Sequence, residues 1–184
     1  MTQSNILSPS QRTLLNNLTR ELFQTETSAL RHGNREADRL GDSAPARALR
    51  AVATHAKGVL TELPGLAQRN DMIISKGGML TGELFSQVRD KFADMLIDSE
   101  RSYRGTLLGM QHGLGVVLLL RQTAVVTGKA DLGLFCDGWL NTRTVLVDAV
   151  AEELRWFAEH ADEAVKMGRS LLPRARESAS HAAG

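Results

Sequence analysis

The sequence predicts an all-α protein, an antiparallel four-helix bundle with a long crossover between helices two and three. Three observations predict it. Aromatic residues are only 4% of 184 and prolines number 4, whereas β-rich domains lean on aromatic and β-branched side chains with frequent turn signals. Apolar residues recur at three- and four-residue spacing over runs far longer than a strand. The interruptions between those runs are short in two places and long in one.

The first helix starts at Ser8-Pro9-Ser10-Gln11. Ser8 can cap, Pro9 suits the first helical position and Gln11 can reach back to close a capping box. Leu15, Leu18, Leu22, Thr25, Ala29, Gly33, Ala37 and Leu40 form its apolar stripe. Gly41 is a natural stop, and Asp42 or Ser43 caps helix two, which runs back antiparallel. The second stripe is Leu49, Val52, Ala53, Ala56, Val59, Leu60 and Leu63, ended by Pro64-Gly65. Leu66 to Leu80 has no sustained period and reads as the long connection. Thr81 then caps helix three, whose stripe Phe85, Val88, Phe92, Met95, Leu96, Ser99 and Tyr103 continues to Thr127. Unbroken, that helix has about 47 residues and a length of about 70 Å, so a kink near Gly113 to Gly115 is expected. Gly128-Lys129 makes a tight turn. Helix four carries Phe135, Trp139, Thr142, Leu146, Ala149, Glu153, Trp156, His160, Ala164, Met167 and Leu171. Residues 1–8 and 173–184 are expected to be disordered around a bundle domain spanning 9–172.

Gly105, Gly109 and Gly113 recur every four residues in helix three, with Gly115 beside them. Each interior glycine costs about 1 kcal/mol against alanine, so a close-packed neighbour is the expected compensation. In a hairpin turning at Lys129, facing residue numbers sum to about 258. That register sets Gly109 against Ala149, Gly113 against Val145, Gly105 against Glu153, Arg121 against Asp137 and Asp98 against His160. Gly113 to Leu120 is apolar nearly all round, which requires cover on more than one side, from the bundle or from a second copy.

With 22 basic and 21 acidic side chains the formal charge is +1, which argues against a nucleic-acid or membrane-surface footprint. The basic run Lys166, Arg169, Arg174, Arg176 reads as a solvated tail. Cys136 is the single cysteine. It excludes an internal disulfide, suits a buried structural role and fits a reducing cytoplasmic setting. No signal-like segment opens the chain, and the longest apolar run is too short for a bilayer.

The order of two helices, a long crossover and two helices resembles the ferritin-like class of four-helix bundles. Asp98-Ser99-Glu100-Arg101-Ser102-Tyr103-Arg104 is similar to the acidic-then-tyrosine segment of small ferritin-like families. The resemblance implies inward Glu ligands with a Glu-x-x-His on two helices. No Glu-x-x-His occurs here; Ala29, Val52, Gly109, Phe157 and Ser178 stand three before the five histidines. A looser site could draw on Glu26, Glu62, Glu100, Glu153 and His160. The sharper polar layer is Asp98, Arg101, Tyr103, Arg104, Glu153 and His160, read first as a register-fixing layer and second as a ligand or metal site. His112 beside glycines could serve a b-type haem, although the c-type attachment motif is missing. Lys76-Gly77-Gly78 before Thr81 lacks the ending of a phosphate loop, and Asp90, Asp94 and Asp98 form a solvated acidic ladder. No cofactor is predicted. The expected role is non-catalytic: helix-face association in a homo-oligomer or with a protein partner. The alternative is metal or small-molecule binding at the polar layer.

Overall fold

The computed structural model describes residues 7–74 and 98–166. These are helical, with no strand among them. The long helices are α1 (Pro9–Leu40), α2 (Ala44–Arg69), α3 (Ser99–Val126) and α4 (Ala130–Glu152), followed by the short α5 (Leu154–Glu159) and α6 (Ala161–Ala164).

The start of α1 matches the capping pattern of its sequence. Gln11 N donates to Ser8 Oγ at 3.2 Å and Ser8 N donates to Gln11 Oε1 at 2.9 Å. Two orphan amides are thus satisfied reciprocally. Gly41 leaves the helix at φ +64°, a conformation that favours glycine, and Ser43 caps α2. Pro64 does not end α2. The helix continues to Arg69 because Leu63, Leu66 and Ala67 are at most 2% exposed, and burial of that order outweighs one lost backbone bond. The chain turns only at Asn70-Asp71, where Asp71 takes φ +55°.

Helix three begins at Ser99 among the described residues, and the expected cap at Thr81 with the stripe from Phe85 to Leu96 lies outside them. So do the glycine pair at 77–78, Asp90, Asp94 and the tail arginines. Gly128, at φ +70°, and the bond from Lys129 N to Ala124 O form the α3–α4 turn. The single helix four is a correction: the chain breaks at Glu153 and again at His160. The first break brings Phe157 onto Tyr103, with ring centroids 5.0 Å apart. At the second, His160 takes φ −127° and stacks on Trp156 at 4.4 Å.

α1 packs on α2 and α3, and α4 packs on α3 and α2. The core has two apolar clusters. One gathers Leu15, Leu22, Leu63, Leu120, Leu132, Cys136 and Trp139, and the other gathers Ala37, Leu49, Val52, Tyr103, Val147, Val150 and Phe157. On α4 the buried series is Leu132, Cys136, Trp139, Arg143, Val147 and Val150, rotated from the expected Thr142, Leu146, Ala149 face.

The close packing expected of the glycines is not found: only Gly113 is buried, and a Cβ there would meet Thr25 and Trp139 at 3.8–3.9 Å, an ordinary contact. Gly105, Gly109 and Gly115 are exposed, and a Cβ on any of them would meet nothing within 4 Å. Ala149 is half-buried and Val145 is exposed, so neither forms the expected contact with Gly109 or Gly113. The physical reason is phase. In α3 the core takes Tyr103, Leu107, Met110, Val117, Leu120 and Ala124, which turns Gly105 and Gly109 outward.

Candidate functional site

Two features stand out: a buried polar layer that divides the core, and an apolar exterior on α3 and α4. The layer draws polar side chains from α1, α2 and α4, and a glycine of α3 lies at the same level. Glu26 on α1 lies between Leu22 and Ala29, and His55 on α2 lies between Val52 and Val59. Gly113 on α3 lies between Met110 and Val116, and Arg143 on α4 lies between Trp139 and Val147. On each helix one neighbour belongs to one apolar cluster and one to the other.

Glu26 and Arg143, each 1% exposed, are joined by a hydrogen-bonded ion pair. The guanidinium also lies over the Trp139 ring, 5.0 Å from its centroid, an arrangement worth about 2 kcal/mol when desolvated. The pair pulls in opposite directions on each partner. Burial pushes the Glu26 carboxyl up while Arg143 draws it down, and burial lowers the Arg143 guanidinium while Glu26 raises it. His55, 6.3 Å from Trp139 between ring centroids, is pushed down to about 4 by burial and by the Arg143 charge. It is therefore neutral at pH 7. Trp139 Nε1 faces the Glu26 carboxyl and helps to draw it down, whereas Arg143 Nε and His55 Nδ1 have no hydrogen-bond partner. Burying such a layer costs desolvation, which the ion pair offsets.

The polar layer expected at the far end of the hairpin is dispersed. Tyr103 is buried and its hydroxyl donates to Val150 O at 2.9 Å; burial, and then the Glu153 charge, push that hydroxyl upward. Arg104 pairs with Glu100 at 2.6 Å on the surface and Arg101 is exposed. Asp98 caps α3 without a side-chain bond, and His160 is exposed with Nδ1 2.8 Å from Trp156 O. The expected pairings of Asp98 with His160, and of Glu153 with the arginines, do not occur. Arg121 does pair with Asp137, as the hairpin register requires. His112, weighed as a haem ligand, has Nε2 2.9 Å from Glu21 Oε1 on the surface. Among the described residues no three His, Cys, Asp or Glu side chains cluster as metal ligands would.

The sequence pattern offers Glu26 only as a loose ligand and Trp139 as a member of the apolar stripe, which is buried as expected, and does not single out Arg143 or His55. The signal was present. Glu26 and Arg143 each occupy a core position in a three-four apolar series, and opposite charges in two such series can be buried only together.

The second feature is the exterior of the α3–α4 hairpin. The exposed positions of α3 from Leu108 to Val126 are Leu108, Gly109, Gln111, His112, Gly115, Leu118, Leu119, Gln122, Val125 and Val126. Only His112 among them is titratable. α4 adds Leu134 and Val145, 73% and 67% exposed, among the exposed polar residues Asp131, Asn141, Thr142, Thr144 and Asp148. By contrast α1 and α2 turn outward Arg12, Arg31, Asp38, Arg47, Lys57 and Glu62. No described helix is long and apolar enough to cross a membrane. Comparisons with known protein families, with curated proteins and with solved structures find no match.

Proposed function

We propose that the chain is a non-catalytic helical-bundle protein that acts by association through the outer face of α3 and α4. One observation carries this reading: seven aliphatic side chains on that face, Leu108, Leu118, Leu119, Val125, Val126, Leu134 and Val145, are each about half or more exposed. So many exposed aliphatic side chains on one hairpin exceed the singly scattered ones that a monomer's surface normally carries. The polar layer is read as a structural partition that holds the helices in register, leaving the outer face to engage a protein.

The reading includes an antiparallel four-helix bundle in the ferritin-like layout. Two bonds support it: Ile73 N to Asn16 Oδ1 and Lys129 Nζ to Asn70 O, both at 3.0 Å, bring the start of α1, the end of α2 and the α3–α4 turn to one end. Ser99 Oγ donates to Lys166 O at the other. α2 therefore ends at one end of the bundle and α3 begins at the other, the placement that a long-crossover bundle requires.

Hydroxyl-radical footprinting tests the reading. Leu108, Leu118, Leu119 and Val125 should label readily in nanomolar purified chain and be protected in the cell. Ready labelling in both settings, or protection at nanomolar concentration in a chain that sediments as a monomer, contradicts it.

A further inference from the structure

We infer that the occupant of this face is a second copy of the same chain, packed α3 against α3, antiparallel, about a two-fold axis between Gly115 and Leu118. The inference rests on the association reading and adds the partner and the register. Its basis is the order of residues along the exposed stripe.

Leu108, Gln111, Gly115, Leu118, Gln122 and Val125 are all exposed and are spaced alternately three and four apart. That is the spacing of the contact positions of a two-helix coiled coil. Reversing the stripe pairs Leu108 with the partner's Val125, Gln111 with the partner's Gln122 and Gly115 with the partner's Leu118. Every pair matches in kind: aliphatic on aliphatic, amide on amide, and a leucine knob over the notch left by a glycine. In a parallel pair Gly115 would face the partner's Gly115 and leave a void, and voids forfeit dispersion contacts. A two-fold contact of this sort is isologous, each patch meeting itself reversed.

Charge points the same way. None of the six residues is charged, so the stripe offers nothing to a partner selected by charge, and two copies bring no like charges together along it. Gln111 and the partner's Gln122 hydrogen-bond across the seam, the device by which a polar contact position fixes register. Leu119 and Val126 on one flank and Leu134 on α4, 49%, 68% and 73% exposed, extend the contact beyond the seam.

Cysteine cross-linking of the full chain tests the register. Gln111→Cys and Gln122→Cys variants are prepared separately, then oxidised alone and as an equimolar mixture. Cys136 is silent in this assay because it is fully buried, with its thiol pushed up to about 12 by that burial. The mixture should give about tenfold more disulfide-linked dimer than either variant alone, since positions 111 and 111 of two copies lie well beyond the ~7 Å Cα separation a disulfide can bridge. Equal linking in all three samples, or preferential linking within each single variant, overturns the antiparallel register. A chain that stays monomeric in sedimentation while the same stripe is protected in cells overturns the second copy and leaves the association reading standing. A monomer whose stripe is unprotected in cells ends both.

Discussion

Replacing Arg143 with Met should unmask the cost of the buried carboxylate at Glu26. The pair is 2% exposed on both side chains, and removing one partner of a buried ion pair costs about 3–5 kcal/mol. The structure permits a sharper figure. Without the guanidinium, Glu26 escapes as a neutral acid by taking up a proton. From its ordinary value of 4.5, that uptake costs about 1.36 kcal/mol per pH unit, hence about 3.4 kcal/mol at pH 7 and about 2 kcal/mol at pH 6. The sign follows from a folded-state value raised above the unfolded one: stability is retained below pH 4.5 and lost as pH rises. Urea denaturation at fixed protein concentration, followed by circular dichroism at pH 5, 6 and 7, reads both the size and the slope. The double variant Glu26→Leu, Arg143→Met should recover most of the loss, because apolar replacement of a buried pair is often neutral or stabilising. A single variant within 1 kcal/mol of the parent at pH 7, or a loss independent of pH, refutes the polar layer as described.

Other expectations concern the same elements. Gly105→Ala and Gly109→Ala should each stabilise by about 0.5–1 kcal/mol, because the added methyl relieves a helix-propensity penalty and meets no atom within 4 Å; a loss in thermal unfolding would return these glycines to a packed interface. Tyr103→Phe should cost about 1 kcal/mol in denaturant titration, the worth of the bond to Val150 O, with the Phe157 ring contact retained. His55 has a folded value near 4 against an ordinary 6.5. Its contribution is therefore complete above pH 6.5 and is lost as pH falls towards 4, by about 1 kcal/mol once the ring's solvent exposure is discounted. His55→Gln should flatten the stability profile over that window, and an unchanged profile would show that the ring is not desolvated.

Local chemistry was legible in the sequence wherever it acts alone. The Ser8 and Gln11 capping box, the Gly41 stop, the Gly128 turn and the Arg121 to Asp137 register are each fixed by a few residues and their immediate neighbours. The misreadings came from competition between local and tertiary effects. Pro64 is a helix breaker by propensity, yet Leu63, Leu66 and Ala67 bury enough surface to carry α2 past it. Helix four kept its apolar spacing beyond Glu152, yet the contact of Phe157 with Tyr103 comes with a change of direction that periodicity cannot register. The glycines of α3 were given an inward role because their penalty demanded a reason; the phase of Leu107, Met110 and Val117 places two of them outside. Glu26 and Arg143 each stand in a core series and are tolerable there only because of the other, a pairing between distant segments that the pattern of one helix does not carry.

The outer face of α3 joins these observations to function, and sedimentation equilibrium tests it most directly. The full chain has a mass of 20.1 kDa. At micromolar concentration it should sediment with twice that mass, and Leu118→Arg, which sets two like charges beside the proposed axis, should return it to one chain while leaving the helical signal unchanged. A parent that is monomeric throughout, or a Leu118→Arg variant that remains a dimer, contradicts the account.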